Sequence, residues 1–159
     1  MKAWHVVLIS LALAMAICGA GVFFLGRAVL DKGRELDKQA KAFGTEALGA
    51  ILTNWDWAAA ERYAGPELFG GDKVSAQLVF NSFRDRLGPF KSLGAPTFVG
   101  FNSSSANGVA TDVVDLRYPA EFANGPATVR IKVVRRDGAW RLIGLKFDSR
   151  VLAGNGNRT

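Results

Sequence analysis

The chain has 159 residues, 49% of them hydrophobic, with 20 basic and 14 acidic side chains, a net charge of +6, one histidine and one cysteine. That length accommodates one domain with a core of its own. The lone histidine, His5, and the lone cysteine, Cys18, both fall in the apolar leading stretch, so the rest of the chain has no imidazole, thiolate or disulfide chemistry, and no metal or other cofactor is expected.

From Trp4 to Leu25 no Asp, Glu, Lys or Arg occurs. About 22 helical residues at 1.5 Å each cross a hydrocarbon core of about 30 Å, which predicts a transmembrane anchor over residues 3–26. A cleaved signal is the rival reading, with Lys2 as its charged start and Cys18-Gly19-Ala20 as a small-residue cut, but the apolar run continues past that point to Leu25. Met15-Ala16-Ile17 before Cys18 makes a poor lipoprotein box. Without Lys2 and Arg27 the remainder holds 18 basic against 14 acidic residues, a mild excess that suits a bilayer surface. It has no basic run or motif for nucleic acid, and none is expected as a partner. Arg27, Lys32, Arg34, Lys38 and Lys41 after the anchor place the domain in the cytoplasm by the positive-inside rule, whereas an amino-terminal signal-anchor often exports the domain behind it.

The expected domain spans residues 27–150. Val29, Leu36, Ala40, Phe43, Ala47, Leu48 and Ile51 recur at a spacing of three and four, predicting a first helix that Gly33, Gly44 and Gly49 weaken. Asn54 reads as the cap of a short helix over Trp55 to Tyr63, with Asp56 in its first turn. Asp72 caps a third helix carrying Val74, Leu78, Val79, Phe83 and Leu87, and Gly88-Pro89 stops it. From Pro96 the period becomes two: a strand to Phe101, a polar loop over Asn102–Gly108, and strands over Val109–Tyr118, Pro126–Arg136 and Ala139–Phe147. Asp137-Gly138 is a tight hairpin turn. The tail from residue 151, rich in Gly and Asn, is expected to be disordered.

Pairing about that turn sets Arg135 opposite Trp140 and Val133 opposite Leu142, so Val129, Ile131, Val133, Trp140 and Leu142 share the core face. The other face then carries Arg130, Lys132 and Arg141 beside Ile143, Leu145 and Phe147. Arg130, Lys132, Arg141, Ile143 and Leu145 make a candidate partner surface, against the plainer reading of a solvated face with scattered apolar residues. Tyr63, Asp112, Tyr118 and Trp140 are candidate ligand-binding residues: Asp112 shares the side of Val114 and Tyr118 and so reaches a pocket, although an edge position is the simpler account, and the aromatics serve equally as core. No phosphate loop, nucleophile elbow or repeat is present.

Three helices followed by an antiparallel meander make an α+β layer fold. The segment Ile51-Leu52-Thr53-Asn54-Trp55-Asp56-Trp57-Ala58-Ala59-Ala60-Glu61-Arg62-Tyr63-Ala64 resembles the opening of the nuclear-transport-factor-2-like, or cystatin-like, superfamily, and Arg136-Asp137-Gly138-Ala139-Trp140-Arg141-Leu142 resembles its last hairpin. Leu87-Gly88-Pro89-Phe90-Lys91-Ser92-Leu93 and Tyr118-Pro119-Ala120-Glu121-Phe122-Ala123-Asn124-Gly125 resemble bacterial membrane-anchored or exported domains of that superfamily. The resemblance implies a cone of about four strands curved around three helices, with a pocket at its open end. It also implies a bacterial inner-membrane protein with a periplasmic domain. Members of the superfamily either catalyse with Asp, His or Tyr in the pocket or only bind and oligomerise. The expected function is therefore a non-enzymatic module for a protein partner, a second copy or a small apolar ligand, and the alternative is a small isomerase or hydrolase using Asp112 with Tyr118 or Tyr63.

Overall fold

A computed structural model of the chain describes residues 33–106 and 109–153; of these, residues from Gln39 on form one compact unit, and residues 33–38 fall outside it. The expected anchor over 3–26 and the tail over 154–159 lie outside the described residues. Among the described residues no helix is long and apolar enough to cross a membrane. Residues 33–52 are helical (α1), followed by α2 (Trp57–Tyr63), α3 (Lys73–Leu87), β1 (Phe90–Leu93), β2 (Thr97–Ala106), β3 (Val109–Phe122), β4 (Gly125–Arg136), β5 (Ala139–Asp148) and α4 (Arg150–Ala153). The fold is α+β, with helices on one face of a five-stranded antiparallel sheet.

From residue 39 on, α1 buries Ala40, Ala47, Leu48, Ile51 and Leu52, the face its spacing predicts. Helix α2 starts two residues later than expected. Asp56, not Asn54, is its N-cap, accepting from the Ala59 N–H at 3.1 Å, and Trp55 before it takes a positive φ of 49° that turns the chain between the helices. That turn drives the Trp55 indole inward against Phe80, Phe122 and Phe147, and its Nε1–H donates to the Gly88 carbonyl at 3.0 Å. On α3 the expected inward set is only partly right. Leu87 is buried and Phe83 packs against the core, together with Phe80, which the set lacked, whereas Val74, Leu78 and Val79 are 71%, 66% and 53% exposed, because the helix turns its 80-83-87 stripe to the sheet.

The sheet has one strand more than expected. β1 and β2 both pair with β3 along the same side, while β4 and β5 follow on the other, giving the order β1-β3-β4-β5 with β2 beside β3. Asn102 to Ala106, expected as loop, continue β2, because β3 offers a complete ladder and Asp112 accepts the Ser103 hydroxyl at 2.7 Å. Val114, Leu116, Tyr118, Ala120 and Phe122 of β3 face the core, as do Ala127, Val129, Ile131 and Val133 of β4. Asp137 and Gly138, with φ of 50° and 80°, form the hairpin turn, and Arg135 does lie opposite Trp140 and Val133 opposite Leu142.

Beyond Leu142 the expected register fails. Lys132 pairs with Gly144, so Ile143 is an extra residue, a bulge that shifts the rest of β5 by one. Leu145 thereby lies opposite Ile131 and Phe147 opposite Val129, on the core face instead of the outer one; Phe147 is 5% exposed. The chain also stays ordered past 150: α4 packs Leu152 against the core, and Arg86 Nη2 donates to the Leu152 carbonyl at 2.9 Å.

Candidate functional site

The four candidate ligand residues are separated and engaged. Tyr118 is fully buried, and its hydroxyl donates to the Lys41 carbonyl at 3.2 Å and accepts from Thr45 Oγ1 at 3.5 Å. It fastens the sheet to α1. Asp112 is not at an edge: β2 and β4 flank it, with Ser103 and Arg135 as its cross-strand neighbours, and it is 6% exposed. Six residues of strand separate it from Tyr118, about 20 Å at the usual rise, too far for both to hold one small molecule. Tyr63 and Trp140 do come together, each against Phe43 of α1, with ring centroids 5.8 Å and 6.5 Å away. The Tyr63 hydroxyl donates to Glu46 Oε1 at 2.8 Å, and this bond, ahead of burial, raises the phenol above its ordinary pKa of 10.0. Such a phenol is a poor general base.

A concavity lies elsewhere. A groove of about 310 Å³ opens between α2, the loop after it, α3 and β5, walled by Trp57, Leu68, Phe69, Val79, Phe83 and Leu145 and floored by Phe80 and Phe147. None of the four candidate ligand residues lines it. Leu145 does, because the Ile143 bulge turned it inward. Besides the Trp57 indole, the lining has two polar side chains, Asp72 and Ser75, and they bind each other: the Ser75 hydroxyl donates to Asp72 Oδ2 at 2.6 Å and the Ser75 N–H to Oδ1 at 3.0 Å. These bonds hold the Asp72 carboxyl below the usual range, as a charged helix cap rather than a proton shuttle. The contribution of β5 depends on a bulge with no compositional mark.

On the outer face, Arg130 pairs with Asp148 at 2.7 Å, Lys132 with Asp115 at 3.7 Å and Lys146 with Asp148 at 3.4 Å. Arg141 is exposed beside the half-buried Ile143. Of the five expected partner-surface residues, four share this side and Leu145 does not. The cations lie in a mixed-charge lattice with Asp115 and Asp148, which suits a solvated face better than an anion site.

Among the described residues no three of His, Cys, Asp and Glu gather closely enough to hold a metal ion. No protein-family model, curated protein or solved structure matches the chain. Its chemistry is therefore read from the groove itself.

Proposed function

We propose that this chain is a non-catalytic binding module, a nuclear-transport-factor-2-like domain tethered through residues 3–26 to a bacterial inner membrane and facing the periplasm, whose groove between α2, α3 and β5 takes a small apolar ligand. The observation that carries this reading is the groove: about 310 Å³ of space with aromatic and aliphatic walls, and polar side chains already satisfied by each other. That volume is at the lower end for small-molecule sites and suits a single ring system or a short alkyl chain. A wall without an available base or nucleophile binds chiefly by apolar contact and does no bond chemistry. The enzymatic alternative has no observation in its favour, since the hydroxyls of Tyr63 and Tyr118 are engaged with Glu46 and Lys41.

The test uses the full chain labelled with 5-fluorotryptophan and titrated with naphthalene-2-sulfonate. The fluorine resonance of Trp57 shifts saturably while that of Trp140 does not, and Ala76→Phe, which fills the groove from α3, abolishes the shift without altering the far-ultraviolet circular dichroism. A Trp57 resonance indifferent to the probe, or a shift that survives Ala76→Phe, overturns the reading. A reporter fused after Thr159 and active only outside the cytoplasm reports sidedness separately; its inactivity overturns the periplasmic placement alone.

A further inference from the structure

Strand β2 is ten residues long and, among the described residues, pairs with β3 alone. No described residue hydrogen-bonds the outward backbone N–H and C=O groups of Thr97 to Ser104. Proteins ordinarily protect such an edge with lysine, proline or a very short strand. Thr97-Phe98-Val99-Gly100-Phe101-Asn102-Ser103-Ser104-Ser105-Ala106 contains no charged residue and no proline, in a chain of net charge +6.

The same strand carries Phe98, Val99 and Phe101, which are 43%, 51% and 46% exposed. Residues three apart on a regular strand point to opposite faces. Here a bulge at Val99 lets Phe98 pair with Leu116 and Phe101 with Val114, so both rings stand on the core side of the sheet. They extend the core face past the helical layer and leave two phenyl groups half in water. An open ladder accepts only another extended strand, so the missing occupant is a strand with apolar groups near its middle.

We propose that β2 is a dimerisation edge, at which a second copy of this chain adds its own β2 antiparallel, with the two-fold axis passing between Val99 and Gly100. In that register Phe98 meets Phe101 of the second copy, and Phe101 meets its Phe98, on the same face of a continuous ten-stranded sheet. Like positions beside that axis approach one another, so a lysine at position 99 or 100 would lie next to its own copy; a neutral centre in a basic chain removes that repulsion for a second copy in particular. The ladder supplies the hydrogen bonds and the four phenyl rings the apolar contact. This site is separate from the groove, and neither proposal depends on the other.

The test uses the full chain in detergent, with mass measured by light scattering during gel filtration. The wild type elutes as a dimer. Phe98→Lys together with Phe101→Lys raises the dimer dissociation constant by about tenfold or more, as does Phe98→Glu with Phe101→Glu, and mixing the two variants restores association, because each lysine then meets a glutamate. Cysteines at two exposed positions check the register without touching the apolar cluster. In a Cys18→Ser background, a mixture of Thr97→Cys and Asn102→Cys chains forms a disulfide-linked dimer on mild oxidation, and neither variant alone does, because like positions lie about 16 Å apart. A monomeric wild type, dimers indifferent to the charge pairs, or cross-linking by either cysteine variant alone overturns the proposal.

Discussion

Gly44 of α1 lies directly against Tyr118 of β3: a Cβ added at Gly44 would come 2.5 Å from the tyrosine hydroxyl oxygen and 2.7 Å from Ile131 Cδ1. A residue that lowers helix propensity is thus required where the helix meets the sheet most closely. Gly44→Ala gains about 1 kcal/mol of propensity but overpacks a rigid site by about 1–3 kcal/mol, so it destabilises the domain. Gly49, on the same helix, has nothing within 4 Å of such a Cβ, and Gly49→Ala stabilises by about 0.5–1 kcal/mol. Urea midpoints of the two variants move in opposite directions.

The start of α2 distinguishes two neighbouring polar residues. Asp56→Ala removes the acceptor for the Ala59 N–H and lowers stability by about 1 kcal/mol. Asn54→Ala, at an exposed position outside the helix, changes it by less than about 0.5 kcal/mol. Equal effects in thermal melts would mean that Asn54 shares the capping role.

Deleting Ile143 removes the bulge and returns Leu145 and Phe147 to the outer face. Exposing two large apolar side chains costs about 3–6 kcal/mol in total, comparable to the stability of a small domain. The deletion variant is expected to lose its cooperative thermal transition, whereas Ile143→Val, which keeps the register, retains it.

Tyr63 provides the pH dependence. Its folded pKa is raised above 10.0, so the native state holds a proton that the unfolded chain releases first. Its contribution to stability is complete below pH 10 and is lost as the pH rises through the folded pKa. Tyr63→Phe flattens this alkaline decline, and in the wild type one tyrosine absorbance step near 295 nm lies above the usual phenol range. A normal step for Tyr63 would mean that the Glu46 hydrogen bond does not persist in solution.

Periodicity exposed the elements whose burial follows one regular pattern. Ala40 to Ile51 and the alternation from Val129 to Val133 are inward as expected, and Asp137-Gly138 makes the turn its residue types require. The candidate groove was not legible for the same physical reason: it depends on departures from period. Two single inserted residues, Val99 and Ile143, change the face of everything after them while leaving composition untouched. An edge position for Asp112 fails because its burial depends on which strands flank β3, and β2 runs on past its expected end at Phe101 to cover it. Val74, Leu78 and Val79 fit an inward stripe on α3 equally well; only the packing of Phe80 beneath Trp55 selects the other rotation of that helix.

The two rims of the sheet are not equivalent. Past α2 the chain runs along β5, where Ala64 makes a parallel bridge to Leu142 and the Gly65 N–H donates to the Leu142 carbonyl at 2.7 Å. An alanine at position 65 would bring its methyl 3.0 Å from Ile143 Cγ2, so glycine lets the two backbones approach without pushing that side chain aside. At Leu142 the β5 rim is thus covered from within its own polypeptide, whereas no described residue covers the β2 rim. A strand added at Leu142 would have to displace the molecule's own backbone, so that stretch of β5 is guarded against edge-to-edge growth.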